Sequence, residues 1–189
     1  MRNVFRALVA IIPLAIASPY SVAPRTTNGC ASASSGDFAW TVEAFTYRSS
    51  DVYSTPAHEI RSATVTFNLS NPVPPEEVLC TAQSSAYTIF FSGEIVYTCT
   101  APAGSTTKTS FRFSEINGEL DVNQTWTCSD GEPVTYKGYG AVKLTLDCQT
   151  TFWRNPNYTG PSSGLYSISN TNCAPVTVPL TPSSKTVVA

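Results

Sequence analysis

Two segments, CTAQSSAYTIFFSGEIVYTC over residues 80–99 and CSDGEPVTYKGYGAVKLTLDC over residues 128–148, decide the fold class of this chain. They are nearly equal in length and hold four of the six cysteines. Apolar and polar residues alternate at both ends of these segments, which is the period of a β-strand. Val78, Cys80 and Ala82 share one phase, as do Ile95, Tyr97 and Cys99, and then Val142, Leu144, Leu146 and Cys148. The four cysteines therefore fall on the apolar phase, where a cross-link within a sheet or between packed sheets must sit.

The pattern continues outward in both directions. Phe38, Trp40 and Val42 alternate with polar or small residues, and Phe45 and Tyr47 follow in the opposite phase, so the strand slips near Ala44 as at a bulge. Residues 48–59 read as a polar loop. Ala63, Val65, Phe67 and Leu69 form a half-buried strand that Asn71-Pro72 and Pro74-Pro75 terminate. Asn117-Gly118 is a hairpin-turn signal. It leads into a strand with Leu120, Val122, Trp126 and Cys128 on one face. Tyr166 and Ile168, then Val176 and Val178, suggest two more short strands. Trp40 and Trp126 lie on apolar phases and are read as core. No window shows a sustained helical period. The reading is all-β: a single disulfide-stapled antiparallel β-barrel or β-sandwich of roughly 9–11 short strands.

The chain opens with Arg2 and Arg6 before the apolar run ALVAIIPLAIA over residues 7–17. That is the pattern of a signal peptide, 1–17, too short to span a bilayer, which needs ~20 residues. Residues 18–35 are expected to be a disordered leader, 36–180 the β-barrel domain and 181–189 a disordered tail. The formal net charge is −2, and loss of Arg2 and Arg6 makes the remainder more acidic. With no basic cluster and no second long apolar run, the expectation is a secreted, extracellular protein with no nucleic-acid and no membrane partner.

Six cysteines in a secreted chain imply three disulfides. Zinc fits poorly, because there is no Cys-x-x-Cys pair and His58 is the single histidine. Many pairings are open to six cysteines. The favoured set is Cys80–Cys99 and Cys128–Cys148, which close short loops, leaving Cys30–Cys173.

Gly36-Asp37-Phe38-Ala39-Trp40, with Phe45 five residues later, resembles the major Alternaria allergen family of small secreted fungal proteins. Cys80-Thr81-Ala82 is similar to the family's Cys-Ser-Ala, and Tyr97-Thr98-Cys99 to its aromatic-x-Cys. The likeness covers roughly residues 30–148. It implies a β-barrel, a Cys80–Cys99 bridge, a second bridge at Cys128–Cys148 and no known enzymatic chemistry. It further implies an effector, elicitor or allergen that binds a host (plant) protein or small ligand. The segment from Tyr47 to Cys80 is longer than the family pattern. An N-terminal cysteine can join two chains in the family, whereas Cys173 here offers Cys30 an internal partner; monomer and dimer both stay open.

No catalytic, metal or cofactor site is expected. His58 lacks a nucleophile elbow nearby and reads as a solvated loop residue. Glu76, Glu77, Glu115, Glu119, Asp130 and Glu132 read as solvated charges rather than a glycosidase pair. Phe152, Trp153, Arg154 and Tyr158 are the best binding candidates, since interface hot spots and sugar platforms use such side chains. The simpler alternative makes Phe152 and Trp153 caps of one barrel end. Tyr136 and Tyr139 share that ambiguity. A lectin-like module for cell-wall polysaccharide is the competing function. Sequons lie at Asn68, Asn123 and Asn157, the first two on polar strand phases. Binding contacts are expected from 48–59 and 151–163.

Overall fold

A computed structural model describes residues 29–188, so the expected signal peptide and residues 18–28 of the leader lie outside the described residues. A short helix, α1 (Cys30–Ser35), precedes eleven strands: β1 (Trp40–Thr55), β2 (His58–Pro72), β3 (Pro75–Ser84), β4 (Tyr97–Thr98), β5 (Lys108–Ser114), β6 (Glu119–Cys128), β7 (Val134–Lys143), β8 (Cys148–Arg154), β9 (Ser167–Cys173), β10 (Val176–Leu180) and β11 (Ser184–Val188). Sheet A runs β3-β2-β1-β9-β8, with β10 also on β1; sheet B runs β11-β7-β6-β5-β4. The two sheets do not close on one another. The all-β expectation holds, and of its two architectures the molecule takes the sandwich, not the barrel that the family likeness implies.

The core follows from the alternation. Trp40, Val42 and Phe45 of β1 and Val65, Phe67 and Leu69 of β2 face Phe111, Phe113, Leu120, Val122 and Trp126 of sheet B, all essentially fully buried. Phe45 meets Phe113, and Phe67 meets Phe111, at ring-centroid distances of 5.0 Å. Trp40 and Trp126 pack edge to face at 6.4 Å. A Cβ on Gly138 of β7 would come within 2.9 Å of the Trp40 ring, so only glycine admits this approach. One polar link crosses the core. Asn71 of β2 donates to Gln124 of β6 at 2.7 Å, and Gln124 donates to Thr109 of β5 at 3.0 Å. Gln124 shares the buried phase of Val122 and Trp126, and its amide oxygen and nitrogen each have a partner there.

The slip near Ala44 is present. Ala44 has φ +51°, and the register shifts on both sides of β1 at this point. Asn117-Gly118 also forms the predicted turn: Gly118 has φ +73°, and its carbonyl accepts from Leu144 N–H at 2.8 Å.

Several expectations are corrected. Residues 48–59 are not a loop but the far end of the β1–β2 hairpin, paired from Arg48↔Thr64 to Thr55↔His58. The apolar alternation from Val142 to Cys148 is not one strand. β7 ends at Lys143, residues 144–147 cross between the sheets, and Cys148 opens β8 in sheet A. Between β3 and β4, Phe90 and Phe91 are buried in the core from a segment outside the strands. Residues 30–35 are helical rather than disordered. The buried Ser34 Oγ accepts from Trp126 Nε1 at 2.9 Å, and Tyr136 Oη donates to the Ala31 carbonyl at 3.1 Å. The tail is ordered too: Ser184–Val188 pairs with Thr135–Tyr139 along the edge of β7.

These corrections explain the disulfides. Cys80–Cys99 forms as expected and ties β3 of sheet A to the end of β4 in sheet B. Cys128–Cys148 and Cys30–Cys173 do not form; the pairs are Cys30–Cys128 and Cys148–Cys173. Cys128 ends β6 beneath α1, whereas Cys148 stands across the ladder from Cys173 in the other sheet. Cys148 is also exposed, so the apolar phase of the cysteines fails at that one. Peptide mapping of the non-reduced protein should recover Cys30–Cys128, Cys80–Cys99 and Cys148–Cys173. A Cys128–Cys148 peptide would contradict the crossing at 144–147.

Candidate functional site

The two segments expected to make contacts lie at the same end of sheet A. β1 uses one edge twice. Trp40–Phe45 pairs with β10, and Arg48–Tyr53 pairs with β9. β9 in turn carries β8. The hairpin end and residues 148–154 thus become one surface.

Register places four apolar side chains in a row across this surface. Ile60 stands opposite Val52, Val52 opposite Ile168, and Ile168 opposite Trp153. Directly opposed residues share a face. This face is the outer one, since the inward phase of β2 is that of Ala63, Val65 and Phe67. The row spans roughly 14 Å, three inter-strand steps of ~4.8 Å. Ile60 is 61% exposed and Trp153 50% exposed. The next row inward along the strands is polar: Ser62, Ser50, Asn170 and Thr151.

The opposite phase of the same strands fixes the hairpin. Arg61 Nε donates to Asp51 Oδ1 at 2.8 Å and lies 3.4 Å from Glu59 Oε1. Its guanidinium sits 4.6 Å over the Phe90 ring and also donates to the Tyr87 carbonyl. The Tyr53 phenol is held above its ordinary pKa by its hydrogen bond to Glu59. The side chains of one phase thus anchor the sheet that presents the other.

Phe152, Trp153, Arg154 and Tyr158 are not one loop cluster. The first three belong to β8, an edge strand exposed along its whole length. Trp153 takes the outer phase, and Phe152, 68% exposed, takes the other. Neither caps the core. Arg154 lies 4.8 Å over the Tyr166 ring, and Tyr158 meets the same ring at 5.1 Å. Asn157 is exposed in the turn beyond β8, so a glycan there would border this surface. Sequence reasoning missed Ile60, Val52 and Ile168 as partners of Trp153, because cross-strand register is not visible in a linear pattern.

The remaining candidates resolve individually. Tyr136 is core, stacked on Trp126 at 5.8 Å, while Tyr139 donates to Asp121 Oδ1 at 3.0 Å on the outside of sheet B. His58 Nδ1 lies 2.8 Å from Ser54 Oγ at the exposed hairpin end, but Glu59 points to the opposite phase and orients nothing there. Both carboxylate oxygens of Asp130 lie 3.4 Å from Ala31 N–H. Asn68 and Asn123 sit half-exposed on outward phases of β2 and β6.

A second feature opens between the sheets where residues 144–147 cross. This cleft of about 600 Å³ is lined by Tyr47, Glu115, Ile116, Gly118, Leu144 and Leu146, together with Asn117 and Cys148. Tyr47 Oη donates to Glu115 Oε2 at 3.0 Å, and Glu115 Oε1 accepts from Phe90 N–H at 2.9 Å. Burial, together with the Glu115 charge and hydrogen bond, pushes the Tyr47 phenol up to about 12. A phenol raised in the folded state stabilises it fully below the unfolded value near 10, and that contribution is lost as pH climbs from about 10 through 12. Urea unfolding across this alkaline range should therefore show a stability decline that Tyr47→Phe makes shallower. An unchanged slope in Tyr47→Phe would show that Tyr47 ionises at an ordinary pH.

The family model described as Alternaria alternata allergen 1 matches residues 42–173, more than half of the chain. No curated protein and no solved structure matches. The matched range runs from the first core strand through Cys173, and so takes in the Cys80–Cys99 staple, the exposed end of sheet A and the cleft. The chain belongs to the Alternaria alternata allergen 1 family.

Proposed function

We propose that this allergen-family protein is a secreted, non-enzymatic effector or elicitor that docks on a host plant protein through the outer face of sheet A. The observation that carries the reading is the row Ile60, Val52, Ile168 and Trp153. Four apolar side chains in register, two of them at least half exposed, form a contiguous patch rather than scattered surface residues. An exposed aromatic at the end of an apolar row, with a polar row beside it, offers the kind of anchor that interface hot spots use. Secretion accords with three disulfides in a small β-domain. The non-enzymatic reading draws on the family and on His58, whose neighbours supply no orienting carboxylate.

A lectin-like reading has one observation in its favour. Ser62, Ser50, Asn170 and Thr151 run beside the exposed Trp153, and a sugar ring can stack on an indole while its hydroxyls bond such side chains.

One experiment separates the two. Immobilised wild-type protein is exposed to leaf apoplastic fluid and, separately, to chitin, cellulose and glucan. The protein-docking reading expects retention of a discrete plant protein. Ile60→Ser with Trp153→Ser should weaken it at least about tenfold, the scale of a lost hot spot. Val187→Ser, also an exposed apolar position but in sheet B, should leave it intact. Retention on a wall polymer that is lost with Trp153→Ser alone would replace this reading with the lectin. Equal retention by wild type and the double variant would overturn both.

A further inference from the structure

The cleft between the sheets has a chemistry that the outer face of sheet A does not. Three apolar side chains line it, beside the polar Asn117: Leu144 is buried, Leu146 half-buried, and Ile116 is 69% exposed. Its one charged lining residue is Glu115, flanked by the Tyr47 phenol. Among the described residues no lysine or arginine lines it. The volume of about 600 Å³ lies within the range of small-molecule sites.

The walls are also pre-set. Gly118 accepts from Leu144 N–H, and a Cβ on Gly118 would lie 2.4 Å from the Leu144 carbonyl oxygen, so the hairpin and the crossing segment touch only because this residue is glycine. Ala174 N–H donates to the Asp147 carbonyl at 2.8 Å, and Cys148–Cys173 ties the end of the crossing to β9. A cleft held on both sides does not spend binding energy on closing.

We infer that this cleft binds a small molecule with an apolar or aromatic body and a protonated amine, the body lying against Ile116, Leu144 and Leu146 and the ammonium on Glu115. Each Glu115 oxygen already accepts one hydrogen bond, from Tyr47 or from Phe90 N–H, and each retains a second lone pair for a donor. This lone charge attracts a cation and repels a carboxylate of the same shape. The site is independent of protein docking: the cleft lies between the sheets, and the docking row is on the outer face of sheet A.

The test is a titration of isotope-labelled protein at neutral pH, followed by NMR, with 2-phenylethylamine, 2-phenylethanol and phenylacetate. The amine should shift the methyl signals of Ile116, Leu144 and Leu146 saturably. The alcohol should bind more weakly at the same place, and phenylacetate should not bind. Glu115→Gln should weaken the amine at least about tenfold while leaving the alcohol unchanged, as loss of one charge-assisted contact requires. Ile116→Trp fills the rim from an exposed position that folding does not depend on, and should abolish both. The inference is overturned by shifts outside the cleft, by equal binding of amine and phenylacetate, or by unchanged amine affinity in Ile116→Trp.

Discussion

The fold depends on the double use of one edge of β1. A strand of 16 residues is longer than the core it helps to enclose. Its first half is fully occupied: Trp40, Val42 and Phe45 pack against sheet B, and β10 covers the edge. Beyond the bulge at Ala44 the same edge takes β9 instead, and β9 brings β8. Sheet A therefore continues as a platform of four strands past the region where sheet B opposes it. On that platform inward positions hold Asp51, Glu59 and Arg61 rather than core aromatics. The outward positions hold the apolar row.

The three disulfides serve this division. Cys80–Cys99 staples the sheets together next to the aromatic core, and Cys30–Cys128 holds α1 over Trp126. Cys148–Cys173 lies in the platform, at the foot of β8. Without it, an exposed edge strand attached only to β9 would have little to hold it. The same link closes one end of the cleft, so the two candidate surfaces share a single support.

Much of the fold was legible in the sequence. The alternation at 63–69 and 119–128, the Asn117-Gly118 turn and the slip at Ala44 each report a local property: side-chain phase, turn chemistry or a change of phase. Pairing between distant strands has no such signature. The run from Val142 to Cys148 keeps perfect alternation while the chain leaves one sheet for the other, and this misassigned Cys128 and Cys148 to each other. Cys30–Ser35 is too short to show a helical period. It is ordered by a disulfide and by hydrogen bonds from Trp126 and Tyr136, none of which the local sequence encodes. The aromatic residues at 152–153 were visible as binding candidates, but Ile60, Val52 and Ile168 join them only through register.

Hydrogen–deuterium exchange of the protein, alone and with a plant protein recovered by the capture experiment, tests the docking claim most directly. Slowed exchange should be confined to peptides covering residues 50–62, 149–155 and 166–170, the three stretches that build the outer row. Protection centred on β5, β6 and β7 of sheet B, with those stretches unchanged, would contradict the account.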